Sequence, residues 1–214
     1  MKKVAIIGAG ELGKQILSFI LGSTNDIIVG WFDDTIPKGF FVEGFNVLGS
    51  LNDTEHLYSK NEFDEVAIAI GYNHLDFKIK LLKRFEDENI KLYSFIHPSA
   101  IVDKSAIIEE GAIIYPGVIV DKNVKICKAV LLNIGAIISH DTEIDECCFI
   151  APGVVCSGFV KIGKCCFVGS GVIIRDNLII TNNVKIGAGG LVVKNINEPG
   201  AYIGSSRLFK FLKQ

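Results

Sequence analysis

Apolar side chains recur at every sixth position through the second half of the chain. Stepping by six from Ile96 to Val192 meets 17 positions, of which 16 are Ile, Val or Leu and the other is Cys156. Residues that tolerate tight turns recur with the same period, at Gly111, Gly117, Asn123, Gly135, Asp141 and Gly153. This pattern predicts a left-handed parallel β-helix of hexapeptide repeats over residues 95–196, whose aliphatic column points inward.

The first 94 residues follow a different pattern, in which apolar strands alternate with amphipathic helices. We predict a helix up to about Leu21, another over Leu75–Asn89, and strands at Val4–Ile7, Ile27–Phe32 and Val66–Ile70. Such alternation is typical of a parallel sheet with helices on its faces. The sequence therefore predicts an α/β plus all-β protein, with a small Rossmann-like domain over residues 1–94 before the β-helix.

The six-residue period ends after Asn197. A β-helix needs a cap on its open end. We therefore predict a C-terminal cap over residues 197–214, formed by a short amphipathic helix that contains Leu208, Phe209, Phe211 and Leu212.

Composition narrows the range of functions. The 214 residues carry 22 basic and 24 acidic side chains, and this near balance argues against a dedicated nucleic-acid-binding protein. Every apolar run is too short for a signal peptide or a membrane span, so we expect a cytoplasmic protein with neither nucleic acid nor membrane as a partner. The six cysteines contain no CxxC pair, so we expect reduced packing residues and no metal site.

A glycine-rich turn follows the first predicted strand. Gly8, Gly10 and Gly13 form GxGxxG between a strand and a helix, where backbone N–H groups can bind phosphate oxygens. Asp33 lies 20 residues beyond Gly13, as in dinucleotide-binding proteins. A domain of 94 residues is only half of a dinucleotide-binding fold, so a single nucleotide fits better than NAD. Close strand–helix packing by the glycines, with a turn at Asp33-Asp34, remains an alternative.

His140 is the candidate catalytic residue of the β-helix. A coil of three hexapeptides holds 18 residues, so Gly158 is expected to stack on His140 at the strand spacing of about 4.8 Å. The missing side chain would leave space for a substrate beside the imidazole and a bare backbone N–H. Asp141 would fix the imidazole tautomer, and His140 would then act as a general base near neutral pH. A solvated turn histidine without a catalytic role remains the alternative.

Five segments carry a resemblance that covers nearly the whole chain. They are Gly8-Ala9-Gly10-Glu11-Leu12-Gly13, Asp33-Asp34, Ala69-Ile70-Gly71, Ile96-His97-Pro98-Ser99-Ala100 and residues 133–141. On these segments the chain resembles the bacterial sugar O- and N-acyltransferases of the hexapeptide-repeat superfamily. The similarity is to the UDP-4-amino-sugar N-acetyltransferases of protein-glycosylation pathways and to the sialic acid O-acetyltransferases.

The resemblance implies an acetyl-CoA-dependent N-acetyltransferase that acts directly on a nucleotide-linked amino sugar of the 4-amino-4,6-dideoxy type, without a metal. It implies that His140 is the general base and that Asp141 supports it. The first domain is then expected to bind the nucleotide sugar, at Gly10, Glu11, Leu12, Asp33, Asp34 and Gly71. Acetyl-CoA is expected between two subunits of a homotrimer, at Phe149, Gly158, Ser170 and Ala188.

Some positions depart from the pattern of this family. Phe149 stands where relatives often have a second histidine, Glu11-Leu12 replaces the more usual Gly-His, and residues 204–207 lack the common proline. An O-acetyltransferase acting on a sialic-acid-type sugar is therefore a second hypothesis. A third is a nicotinamide- or nucleotide-binding regulatory protein that uses the β-helix only for trimerisation.

Overall fold

The structure is a computed structural model that describes residues 1–203. The chain forms two compact units, Met1–Phe95 and a second unit that begins at Ile96. The predicted α/β unit followed by a left-handed β-helix is confirmed. The expected cap helix, with Leu208, Phe209, Phe211 and Leu212, lies outside the described residues.

The first unit is a five-stranded sheet with helices between its strands. Its elements are β1 (Lys3–Ile7), α1 (Glu11–Ser23), β2 (Ile27–Phe32), β3 (Phe41–Val42), β4 (Phe45–Gly49), α2 (Thr54–Ser59), β5 (Glu65–Ile68) and α3 (Leu75–Asp87). The strand order is β3-β4-β2-β1-β5, and every pairing is parallel except the β3–β4 hairpin.

The central strand of this sheet explains why its apolar run is continuous. Val4, Ala5, Ile6 and Ile7 of β1 are all fully buried, because parallel strands with neighbours on both sides are covered on both faces. The sequence prediction missed the hairpin and α2. Their elements are short, and propensity over so few residues is a weak signal.

The second unit consists of very short strands separated by turns. The strands β6 to β23 are, in chain order, Phe95–Ile96, Ile101–Val102, Ile107–Ile108, Ile113–Ile114, Ile119–Val120, Lys125–Ile126, Leu131–Leu132, Ile137–Ile138, Glu143–Ile144, Phe149–Ile150, Val155–Cys156, Lys161–Ile162, Phe167–Val168, Ile173–Ile174, Ile179–Ile180, Val184–Ile186, Leu191–Val192 and Gly200–Tyr202.

These strands stack into three parallel sheets, which are the three faces of the β-helix. The six-stranded sheet has the order β22-β19-β16-β13-β10-β7, the five-stranded sheet β20-β17-β14-β11-β8, and the seven-stranded sheet β23-β21-β18-β15-β12-β9-β6. Ile119 pairs with Ile137, and Ile137 pairs with Val155, so each coil advances 18 residues. Residues 18 apart therefore lie one above the other.

The turns carry one residue with positive φ every six positions. Gly135 has a φ of 66°, Asp141 of 57° and Gly153 of 66°, as expected for residues that tolerate the left-handed conformation. The same conformation occurs at turn positions where the sequence gives no such signal, including Ala129, Cys147 and Phe159. The coil geometry, and not the residue type, therefore sets the backbone at these positions.

The core of the second unit is the inward column predicted from the six-residue period. Ile114, Ile126, Ile138 and Cys156 are all fully buried. Ile96, the first position of the period, is 44% exposed, because the first coil has no coil below it. The inward column is thus complete only from the second coil onward.

The inward column predicts a large difference between two neighbouring side chains of β20. Ile180 is 1% exposed and Ile179 is 53% exposed. We expect Ile180→Ala to lower the free energy of unfolding by about 2–5 kcal/mol, because it leaves a cavity in the core. The matched Ile179→Ala should change it by less than about 0.5 kcal/mol. Denaturant unfolding of both variants measures this, and equal losses would contradict the inward assignment.

Candidate active site

The turn between β13 and β14 places an imidazole beside a carboxylate. His140 Nδ1 lies 2.9 Å from Asp141 Oδ2, and the imidazole side chain is 41% exposed. An ionised carboxylate only accepts hydrogen bonds, so Nδ1 carries the proton in this pair. Nε2 of the neutral ring is then left with a lone pair. The arrangement can take a proton from a group that approaches Nε2.

Asp141 is held in turn by a residue of the coil below. The amide Nδ2 of Asn123 donates a 3.1 Å hydrogen bond to Asp141 Oδ1, so both carboxylate oxygens are engaged. Hydrogen bonds from His140 and then Asn123 hold the pKa of Asp141 below its ordinary value. The sequence prediction missed Asn123, although it lies 18 residues before Asp141 and the coil length alone would have found it.

Gly158 of the coil above lies directly against the imidazole. A Cβ built on Gly158 would lie 2.6 Å from His140 Cε1 and 2.8 Å from Nε2. The space above the imidazole, expected to be left for a substrate, is thus occupied by the imidazole itself. In residues 1–203 the Gly158 N–H has no hydrogen-bond acceptor, so this group can donate to a ligand. A side chain at position 158 would displace His140.

Phe159 adds an aromatic ring to this corner. Its centroid lies 5.2 Å from that of the imidazole, with the two planes at 86°, and the side chain is 53% exposed. Its backbone N–H donates a 3.1 Å hydrogen bond to the His140 carbonyl. The sequence analysis did not single out Phe159. The 18-residue spacing from Asp141 is the signal that would have done so.

The residues expected to contact acetyl-CoA do not share one corner of the chain. Gly158 lies at the His140 corner, between the six- and five-stranded sheets. Ser170 and Ala188 are exposed and 18 positions apart at the next corner, between the seven- and six-stranded sheets. Phe149 is only 7% exposed on β15, with its ring 5.9 Å from that of Phe167. A ligand that touches all four residues of one chain must therefore cross the six-stranded sheet.

The six residues expected to bind the nucleotide sugar follow three neighbouring strands of the first unit. Gly10, Glu11 and Leu12 follow β1, Asp33 and Asp34 follow β2, and Gly71 follows β5. Since β2, β1 and β5 are parallel neighbours, these residues lie at the carboxyl edge of the sheet, where ligands of open α/β sheets bind.

Two of these glycines leave open space, whereas the other glycines of the turn are needed for packing. A Cβ on Gly10 or on Gly71 would have no atom within 4 Å. By contrast, a Cβ on Gly13 would collide with the Gly8 carbonyl oxygen, and Gly8 itself has a φ of 95°. The glycine-rich turn therefore combines close strand–helix packing with an accessible surface.

The two acids of this edge are hydrogen-bonded within the unit. Asp33 Oδ2 accepts from the Ala9 N–H at 2.9 Å, and Oδ1 accepts from the Thr35 hydroxyl at 2.6 Å and from the Thr35 and Ile36 N–H groups. Burial raises the pKa of Asp33, but these hydrogen bonds outweigh it and hold the pKa below its ordinary value. Asp34 Oδ1 accepts from the Leu51 N–H at 2.9 Å.

Glu11 extends away from its own backbone into solvent. Its carboxylate forms a 2.8 Å ion pair with Lys14, and its side chain is 91% exposed. Among residues 1–203, no group of three or more His, Cys, Asp or Glu side chains is arranged to hold a metal ion. In the same range, no helix is long and apolar enough to cross a membrane.

We expect Asp33→Asn to destabilise the first unit in a pH-dependent way. Because the folded-state pKa of Asp33 lies below 3.8, its carboxylate stabilises the fold above that pH, and the stabilisation is lost as the pH falls through the folded pKa. The difference in melting temperature from the wild type should be largest at roughly pH 5–7 and shrink below about pH 3. Scanning calorimetry across this range tests it, and a difference that does not shrink in acid would argue against it.

Comparisons with known proteins agree with this geometry. Residues 3–79 match the family described as the PglD N-terminal domain. The acetyltransferase domain of PglB from Neisseria gonorrhoeae FA1090 is 29% identical, with a TM-score of 0.84 over 95% of this chain and 97% of that chain. No curated protein matches the sequence.

Two further solved structures are similar over nearly their whole length. Perosamine N-acetyltransferase from Caulobacter crescentus, a histidine-to-asparagine variant in complex with CoA and GDP-perosamine, is 27% identical, with a TM-score of 0.85 over 94% of this chain and 93% of that chain. WeeI from Acinetobacter baumannii AYE is 24% identical, with a TM-score of 0.76 over 90% and 92%, and shows the fold alone. The resemblance seen in the sequence is confirmed, and the chain is an enzyme of the sugar acetyltransferase group within the hexapeptide-repeat superfamily.

Proposed function

We propose that the protein transfers the acetyl group of acetyl-CoA to the amine of a nucleotide-linked amino sugar. One observation carries this proposal: His140 has its Nδ1 held by Asp141 at 2.9 Å and its ring stacked on the Gly158 backbone. A base with a fixed tautomer beside a free N–H is what acyl transfer to an amine requires.

The proposed reaction needs one proton acceptor and one oxyanion donor. The sugar amine attacks the thioester carbonyl carbon and passes a proton to His140 Nε2. The Gly158 N–H donates to the oxygen that becomes negative in the tetrahedral intermediate. The carbon–sulfur bond then breaks, the proton goes to the departing CoA thiolate, and the amide product and free CoA leave. Asn123 and Asp141 keep the imidazole in the required tautomer throughout.

The similar structures support both substrates. The PglB acetyltransferase domain has been solved with acetyl coenzyme A, and the Caulobacter crescentus enzyme with CoA and GDP-perosamine. We propose that acetyl-CoA is the co-substrate here and contacts Phe149, Gly158, Ser170 and Ala188. We also propose that Gly10, Glu11, Leu12, Asp33, Asp34 and Gly71 bind the nucleotide sugar, with the accessible glycine backbone on the phosphates.

An exposed apolar face supports assembly into a homotrimer. The outward positions of the six-stranded sheet are aliphatic in each coil: Ile101, Ile119, Ile137, Val155, Ile173 and Leu191. The five-stranded sheet presents charged side chains instead, such as Lys125, Glu143 and Lys161. Contiguous exposed apolar patches mark protein interfaces. The apolar face is flanked by the His140 corner and the Ser170 corner, so packing it between subunits would bring the two kinds of corner together.

The remaining expectations concern cellular context. We propose that the acetylated nucleotide sugar serves glycan biosynthesis, and that the enzyme acts in the cytoplasm. The six cysteines are buried and free, which supports a reducing compartment.

We expect His140→Asn to lower kcat by about 10²–10⁴-fold, because it removes the general base. Binding of CoA should be retained, since the histidine variant of the Caulobacter enzyme holds CoA and GDP-perosamine. His56→Asn, at an exposed histidine of α2, is the matched control. Release of the CoA thiol measures turnover over a panel of UDP- and GDP-linked amino sugars and free sialic acid.

The same panel separates the competing functions. Turnover with sialic acid alone would replace the N-acetyltransferase proposal with O-acetylation, and unchanged turnover in His140→Asn would remove His140 as the base. Thiol release with none of these acceptors would overturn the proposed function.

We expect Ile173→Lys to break the assembly. The change puts a charge into the apolar face, where an unpaired buried cation is unfavourable. Ile179→Lys is the matched control, since Ile179 has similar exposure on the five-stranded sheet. Light scattering should show a trimer for the wild type and the control, and monomers for Ile173→Lys. A trimer in all three proteins would place the interface elsewhere.

A further inference from the structure

Phe159 occupies a backbone conformation that its side chain disfavours. Its φ is 59°, in the left-handed region where a bulky residue is uncommon, yet the side chain is 53% exposed. The corresponding turn residues one coil below and one coil above are Asp141 and Asn177, both of which tolerate this conformation. Packing of the core does not require a phenyl ring at this turn. Strained residues that persist without a packing reason are concentrated at functional sites.

The position of the ring relative to His140 suggests which function it has. Its centroid lies 5.2 Å from the imidazole centroid in an edge-to-face arrangement, and the Phe159 N–H is bonded to the His140 carbonyl at 3.1 Å. The ring therefore moves together with the base. An acceptor amine must come within about 3 Å of Nε2 to lose its proton. The carbon substituents next to that amine then reach the exposed part of the phenyl ring.

The chemistry of the ring selects among such substituents. A methyl group placed against the phenyl ring loses water at no cost in hydrogen bonds and gains apolar contact. A hydroxyl group placed there gives up hydrogen bonds to water, and the phenyl ring offers none in return. The other polar side chains of this corner are already paired, since Asp141 bonds to His140 and to Asn123.

We propose that Phe159 is a specificity-determining residue, an apolar wall that favours amino sugars with a methyl group over a hydroxymethyl group next to the reacting amine. This inference rests on the proposed function, because it takes His140 Nε2 as the point to which the amine is brought. It adds the feature of the acceptor that the enzyme reads at this corner and the residue that reads it.

The test compares two acceptors that differ by one hydroxyl group. They are 4-amino-4,6-dideoxyglucose and 4-amino-4-deoxyglucose, each linked to UDP and to GDP, with thiol release from acetyl-CoA as the readout. The wild type should prefer the methyl sugar on the order of fivefold or more in kcat/KM. Phe159→Asn should reduce the preference to within about twofold, mainly through a higher KM for the methyl sugar. Phe159→Leu keeps an apolar side chain and should retain part of the preference.

Two measurements separate specificity from a structural role. Asn is better suited than Phe to a φ of 59°, so Phe159→Asn should melt at the wild-type temperature or above it. Phe41→Asn, at an exposed phenylalanine of the first unit, is the matched control and should leave the preference unchanged.

An unchanged preference in Phe159→Asn would overturn the inference while leaving the proposed function intact. A lower melting temperature with an unchanged preference would assign the ring a structural role instead. If the wild type released no thiol with either sugar on either nucleotide while His140→Asn and the wild type bound CoA equally, the proposed function itself would be overturned, together with this inference.

Discussion

The parallel register of 18 residues is the constraint on which the second unit depends. Backbone hydrogen bonds join each coil to the next, as from the Ile137 N–H to the Val154 carbonyl, and they repeat at every face. A slip of one residue would move the aliphatic column out of the core, so burial of that column locks the register. Every chemical group at a corner is consequently assembled from residues 18 positions apart.

This constraint gives the candidate site its rigidity. Asn123, Asp141 and Phe159 occupy one column, and His140 and Gly158 occupy the adjacent one, all on turns between hydrogen-bonded strands. A proton acceptor held this way needs little reorganisation before reaction, which is the property that preorganised sites share. The backbone of Gly158 contributes by its lack of a side chain, because only glycine leaves room for the imidazole.

The first unit shows how the same residues serve folding and proposed binding. Asp33 accepts hydrogen bonds from the glycine-rich turn and from its own loop, so its carboxylate primarily joins β1 to β2. Asp34 has one carboxylate oxygen engaged by Leu51, and Gly10 and Gly71 are open to solvent on their Cβ side. The structural and the binding interpretations of the GxGxxG pattern are therefore both correct in part, for different residues.

The sequence alone determined the two kinds of fold, the inward column and the pairing of His140 with Asp141, because these follow from local periodicity and adjacency. It also contained the 18-residue spacing that relates Asn123 to Asp141. It did not reveal the β3–β4 hairpin or the phenyl ring beside His140, since these depend on packing between segments. Only the tertiary structure decided that the imidazole fills the space over Gly158, and that the residues expected to bind CoA lie at two corners. Side-chain direction at a turn is set by contacts with the coils above and below, which no local pattern encodes.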